Sequence, residues 1–193
     1  MYSNAFETAI NHCMLFEVGG FWKVTPEVEA GLISTPAQRK AVGYVNDPDD
    51  TGGETKFGIS ENANPDTDIT NLTWSKAKAI YYTRYWLAGS CDKLSTRLGV
   101  LHLDCCVNHG VGRANKFLQR ALSVPDDGQI GPITLNKAST VDQINLCNLI
   151  CNQRIQFYHD IVTNTPSQEK FLGGWVRRAE EMRKFTTSAN QNI

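Results

Sequence analysis

Apolar residues recur at three-and-four spacing over most of this 193-residue chain, the period of one helical face. Phe6, Ala9, Ile10, Cys13 and Met14 form the first stripe, while Asn4, Glu7, Asn11 and His12 fall elsewhere. A helix is therefore expected from Ser3 to about Phe16. Ser3 or Asn4 can cap its start and Gly19–Gly20 must stop it, which leaves Glu17 at or just past its carboxyl end. Residues 21–43 are punctuated by Pro26, Gly31, Pro36 and Gly43 and read as irregular, with a short helical turn around 37–42. From Tyr44 to Ser60 the pattern changes. Asp-Pro and Gly-Gly turn signals separate short β-favouring pieces, which predicts a hairpin or a three-stranded sheet.

After a turn at 65–68 the helical period returns. Thr73 is placed to cap a helix over 74–86, with Ala77, Ile80, Tyr81 and Tyr85 on one stripe. Further helices are expected over 94–108, around 114–122, from Pro132, where proline suits a first turn, over 141–162 and over 168–185. The polar tail beyond is expected to fray. No internal repeat is visible. The expectation is a mainly α, single-domain chain with two lobes: residues 1–90 with the first helix, the insertion and the hairpin, and residues 91–193 as a helical bundle.

Composition narrows the function classes. Hydrophobic residues are 41% and charged residues 20%, ordinary for a globular protein, and a chain this long buries about 70% of its unfolded surface. The formal charge is −1, far from the strongly basic face of a nucleic-acid binder. No stretch approaches the ~20 apolar residues that span a bilayer; the longest, 98–107, is broken by His102 and Asp104. The amino terminus has no basic start and carries Glu7, unlike an export signal, so the chain is expected to be made and kept in a cytosol. Six cysteines without a CxxC pair are then expected as buried free thiols. No metal or organic cofactor, no nucleic acid, no membrane insertion and a monomer are the corresponding expectations.

The chemistry with the clearest signal is a carboxylate at a helix end followed by a segment rich in acids and glycines. Glycosidic cleavage commonly uses two positioned groups: one protonates the leaving oxygen, and the other activates water or stabilises the sugar cation. The negative end of the helix dipole disfavours a charged Glu17, and Phe16, Phe21 and Trp22 could desolvate it. Both effects suit a proton donor.

Glu17-Val-Gly-Gly20 together with Tyr44-Val-Asn-Asp-Pro-Asp-Asp-Thr-Gly-Gly-Glu-Thr-Lys-Phe-Gly-Ile-Ser60 resembles the signature of the phage and bacterial N-acetylmuramidases of glycoside hydrolase family 108. The resemblance continues through Ile80–Trp86, Asp104–Gly110, Phe117–Gln119, Asp127–Thr134 and Gly174–Arg178, so it spans nearly the whole chain. It implies a lysozyme-like α+β fold and hydrolysis of the bond between N-acetylmuramic acid and N-acetylglucosamine. The implied partner is the glycan strand of bacterial peptidoglycan. A phage endolysin is also implied, held in the host cytoplasm until lysis and then acting at the cell wall. By the same resemblance Glu17 is the catalytic acid, Asp50 the second carboxylate and Thr55 the hydroxyl that helps hold the attacking water. Tyr44, Phe57, Asn108 and Gln119 are candidate substrate contacts. Val18 and the insertion at 21–43 depart from the family pattern, and Asp47 and Asp49 compete with Asp50. Asp127-Gly-Gln-Ile-Gly-Pro resembles a turn of small peptidoglycan-binding modules and reads here as a link between helices. The alternatives are a lytic transglycosylase on the same bond, a non-catalytic peptidoglycan binder and a chitinase-like enzyme.

Overall fold

The computed structural model describes residues 1–20, 22–47 and 53–188. It is mainly helical with one small antiparallel sheet, the expected class. By its internal contacts the chain divides into two units, residues 10–83 and residues 1–9 with 84–193. Among the described residues no helix is long and apolar enough to cross a membrane.

The first helix, α1 (Asn4–Met14), does not stop before Glu17. It widens into a π-helical turn over Leu15–Gly19, closed by the Gly20 N–H donating to the Leu15 carbonyl at 2.8 Å. Glycines in the left-handed region at 19 and 20 then end it. Such wide turns are inserted where a side chain must be re-aimed, often at functional sites.

Residues 21–43 are more ordered than their punctuation suggests. Thr25 caps α2 (Pro26–Ala30), its hydroxyl accepting from Val28 N–H at 3.3 Å. Thr35 caps α3 (Pro36–Ala41) in a reciprocal box with Gln38. Both prolines occupy the first helical turn, where a missing N–H costs nothing; they start helices rather than prevent them. Val28 and Val42 are buried, so the insertion is packed into the 10–83 unit. Its core is completed by Ile10, Met14, Phe57, Leu72, Trp74 and Tyr81.

Of the two sheet forms expected, the hairpin is the one present. β1 (Thr55–Lys56) pairs with β2 (Ile59–Ser60) in the register Lys56↔Ile59, and Val45 adds an isolated bridge to Thr55. Phe57 and Gly58 make the turn with φ of +54° and +73°, the backbone of a two-residue I′ hairpin. Glycine adopts that φ freely; Phe57 does so at about 1–2 kcal/mol, offset by full burial.

The 10–83 unit also holds α4 (Trp74–Tyr81). The other unit is built from α5 (Thr96–His109), α6 (Val111–Ala121), α7 (Pro132–Thr140), α8 (Gln143–Asn164) and α9 (Glu169–Thr187). Leu98, Leu101, Leu118, Leu146, Ile150 and Met182 are among its buried side chains. All six cysteines are buried free thiols. The core also encloses charge. Asp104 on α5 pairs with Arg178 on α9 and Arg154 on α8, both at 2.8 Å. Arg154 donates on to His109 Nε2 at 3.2 Å, and Tyr158 donates to Asn108 Oδ1 at 2.6 Å. An imidazole that accepts from a guanidinium must be neutral.

Burial, reinforced by Arg154, pushes His109 down to about 3. For Asp104 burial alone would raise the carboxyl, but Arg178 and then Arg154 overturn it and set it at about 2. The unfolded chain binds a proton at histidine near pH 6.5, which folded His109 refuses until about 3. Stability must therefore fall as pH drops through that window, by at most about 1.4 kcal/mol per pH unit from this group. The Asp104 contribution is present above about pH 4 and is lost only below it. Urea unfolding at pH 6 and pH 4 is expected to show a smaller pH difference in His109→Gln than in the parent; an unchanged difference would remove His109 as its source.

Candidate active site

Glu17 is half-buried in the π-helical turn. Its carboxyl group packs against the hairpin turn at Gly58. A Cβ at Gly58 would stand 3.0 Å from Glu17 Oε2, 3.1 Å from Glu17 Cβ and 2.7 Å from Tyr81 Oη. Gly58 is thus required twice, for its positive φ and for the space it leaves. Tyr81, at the end of α4, donates its hydroxyl to the Phe57 carbonyl at 2.8 Å, and Phe57 N–H donates to the Val42 carbonyl at 2.7 Å. The turn is clamped from both sides.

An aromatic group supports this clamp. Phe57 meets Trp22 edge-on at 6.1 Å and Trp74 at 5.6 Å, and Trp22 lies 4.8 Å from Trp74. Trp22 donates its indole N–H to Asn11 on α1 at 3.1 Å, which ties the segment after Glu17 back to the helix before it. The insertion closes the frame: a Cβ at Gly43 would lie 3.4–3.5 Å from Val18, the residue after Glu17.

Thr55 opens β1, half-buried, three residues before Gly58, hence at most about 10 Å from it along the strand. Its backbone exchanges hydrogen bonds with Val45 at 2.8 and 2.9 Å, and its hydroxyl donates to the Gly53 carbonyl at 3.5 Å. The Val45–Thr55 pair closes the loop in which Asp47 is exposed. Asp49 and Asp50 lie outside the described residues.

The four candidate substrate contacts fare differently. Tyr44 is half-buried, with the Arg39 guanidinium 5.8 Å from its ring centre and Asn46 Nδ2 donating to its hydroxyl at 3.4 Å. Phe57 has no exposed surface; its ring has no face left for a substrate, and it holds the turn instead. Asn108 and Gln119 belong to the other unit. Asn108 accepts from Tyr158. Gln119 is 2% exposed, donates to Asp127 Oδ1 and the Gln129 carbonyl and accepts from Gly128 N–H. With its amide used on both sides it is a staple for the 125–131 loop rather than a substrate contact.

Tyr81, Gly58 and Glu61 were not singled out by the residue pattern alone. Glu61 follows β2, and its carboxylate accepts from Glu54 N–H at 3.4 Å and lies 3.0 Å from where a Cβ at Gly53 would be. It adds a described acid to the hairpin. Only the Tyr81 position on an apolar helical stripe hinted at burial; its hydroxyl's partner is a carbonyl 24 residues away, which no local pattern encodes. Among the described residues no group of three or more His, Cys, Asp or Glu side chains converges to hold a metal ion.

Gly58→Ala is expected to fold with reduced stability and to lose about a hundredfold in catalytic rate through displacement of Glu17. Turbidity loss of purified cell-wall suspensions would show it. A variant with parental activity would remove the Glu17–Gly58 approach from the site.

Residues 39–110 match the family Glycosyl hydrolase 108, and residues 113–180 match the family Predicted Peptidoglycan domain. The hairpin and Asn108 fall within the first match, Gln119 within the second, and Glu17 ahead of both. A solved structure of SagA from Brucella abortus is 24% identical with a TM-score of 0.71, covering 97% of this chain and 98% of that one; at that identity the likeness is one of fold. No curated protein matches the chain.

Proposed function

We propose that this protein, whose residues 39–110 match glycosyl hydrolase family 108 and whose residues 113–180 match a peptidoglycan domain, is a muramidase that uses Glu17 as its acid. The two matched families make it a peptidoglycan hydrolase. The finer reading is cleavage of the β-1,4 bond between N-acetylmuramic acid and N-acetylglucosamine. The observation that carries it is the Glu17 carboxyl lodged against Gly58 of the hairpin, on whose first strand Thr55 stands. A proton donor and a hydroxyl that can orient water are thereby carried by one supported frame.

In this mechanism Glu17 gives its proton to the leaving glycosidic oxygen. Asp50 takes a proton from a water molecule on the opposite face of the sugar, Thr55 orients that water, and the anomeric centre inverts. Single displacement of this kind needs carboxyls roughly 6.5–9.5 Å apart, against about 5–5.5 Å for a covalent intermediate. The assignment of Asp50 rests on its resemblance to the family pattern and on its place in sequence between Val45 and Thr55, whose paired backbones anchor the loop. The joining of a hydrolase region to a peptidoglycan domain, with a motif shared by phage and bacterial muramidases, is compatible with the further reading of an endolysin, kept in the host cytoplasm and reaching the wall at lysis.

Digestion of purified peptidoglycan tests this. Glu17→Gln and Asp50→Asn are each expected to lower the rate by about 10²–10⁴-fold with unchanged far-UV dichroism, and Thr55→Ala by less. The products should carry reducing N-acetylmuramic acid ends. Anhydro ends would make the enzyme a lytic transglycosylase, and a Glu17→Gln protein working near the parental rate would overturn the acid's assignment.

A further inference from the structure

In the unit formed by residues 1–9 and 84–193, α6 and α8 leave a groove of about 490 Å³ lined by Gly112, Arg113, Lys116, Phe117, Arg120 and Phe157. The three cations lie at i, i+3 and i+7 of α6, one helical face. They are not equivalent. Arg120 is committed to Asp126, Nε to Oδ2 at 2.6 Å. Arg113 lies with its guanidinium carbon 4.4 Å from the ring centre of half-buried Phe157. Such stacking fixes the plane of the guanidinium and leaves its N–H edge free to meet an oxyanion.

Lys116 is placed by the Asp127–Gly128 turn. A Cβ at Gly128 would stand 3.5 Å from Lys116 Cε and 3.4 Å from the Gly112 carbonyl, so the turn rests on the lysine's stem. The acids closest in sequence are already engaged. Asp126 is bound by Arg120, and Asp127 accepts from Gln119 at 2.7 Å and from Gln129 N–H at 2.9 Å. Among the described residues neither Arg113 nor Lys116 forms an ion pair. The groove thus presents two cations outside any ion pair, Arg113 stacked on Phe157 and Lys116 near enough to Asp126 and Asp127 to help lower both, inside the matched peptidoglycan domain.

We infer that this groove binds the free carboxylates of the peptide stem of peptidoglycan. The glycan backbone is uncharged where its lactyl groups are amide-linked to stems, so positive charge in a peptidoglycan domain finds its complement on the stem. A carboxylate flanked by methyl or methylene groups fits both the paired cations and the Phe157 wall. The inference rests on the reading that this protein acts on peptidoglycan, but not on the role of Glu17.

The test uses full-length Glu17→Gln protein, which removes digestion, co-sedimented with purified Gram-negative sacculi. A second batch of the same sacculi has its carboxylates converted to amides by carbodiimide and ammonia. Native sacculi are expected to bind about tenfold more tightly than amidated ones, with the difference shrinking as salt rises. Adding Arg113→Glu and Lys116→Glu should lower binding of native sacculi to the amidated level and lower amidated binding no further. Arg113→Gln with Lys116→Gln, checked for an unchanged melting temperature, guards against misfolding. Equal binding of both sacculi by the parent, or undiminished preference in the variants, would overturn the groove's assignment alone. Failure to sediment with either would overturn the peptidoglycan reading as well.

Discussion

The site depends on one close approach: the Glu17 carboxyl against the backbone of Gly58. Any side chain at position 58 would occupy the space of Glu17 and of the Tyr81 hydroxyl together. The approach also requires a hairpin turn bent through two left-handed residues, one of them phenylalanine. That conformation persists because Phe57 is fully buried against Trp22 and Trp74 and because Tyr81 and Val42 satisfy its backbone. A local cost of about 1–2 kcal/mol is thus offset by burial of a large aromatic side chain, which contributes about 1.5–3 kcal/mol, and by two hydrogen bonds.

The insertion at 21–43 belongs to this frame. Its last residues touch both halves of the site, Gly43 lying against Val18 and Val42 accepting from Phe57. The helices α2 and α3 are each only five or six residues long, too short to persist alone. They form because caps, first-turn prolines and the burial of Val28 and Val42 act together. An inserted segment that brackets the Glu17 turn and the hairpin gives Glu17 a rigid seat, which the proposed proton transfer at a fixed distance would require.

Much of this was legible in the chain. The three-and-four stripes of the long helices translate directly into α1 and α5 through α9, because each buries one face. The segment 44–60 translates into a hairpin because Phe57–Gly58 supplies a two-residue turn with positive φ between Lys56 and Ile59. The misses have physical causes. The helical turn expected around 37–42 is present as α3, but Thr-Pro at 25–26 reads as punctuation until one notes that proline is acceptable at a first helical position after a threonine cap. Glu17 lies inside a π-helical turn because the closing bond skips five residues, a geometry that no apolar period reports. Phe57 and Gln119 look exposed-site-like in a motif, yet both are structural: one fills a core, and the other spends its whole amide on a loop. Contacts such as Tyr81 to Phe57 join distant segments and emerge only in three dimensions.

The helical unit solves a different problem, enclosing Asp104, Arg154 and Arg178 in its core while turning Arg113 and Lys116 outward along α6. Buried charge there fixes how α5, α8 and α9 meet, since breaking one partner leaves the others uncompensated, while the spacing of Arg113 and Lys116 is set by their i, i+3 places on α6 itself. For the protein as a whole the decisive measurement is a crystal structure of the Glu17→Gln variant holding a peptidoglycan tetrasaccharide. The account predicts the position-17 amide within about 3.2 Å of a glycosidic oxygen, on the hydrolase hairpin beside Gly58. A sugar chain whose scissile bond lies away from that turn would contradict it.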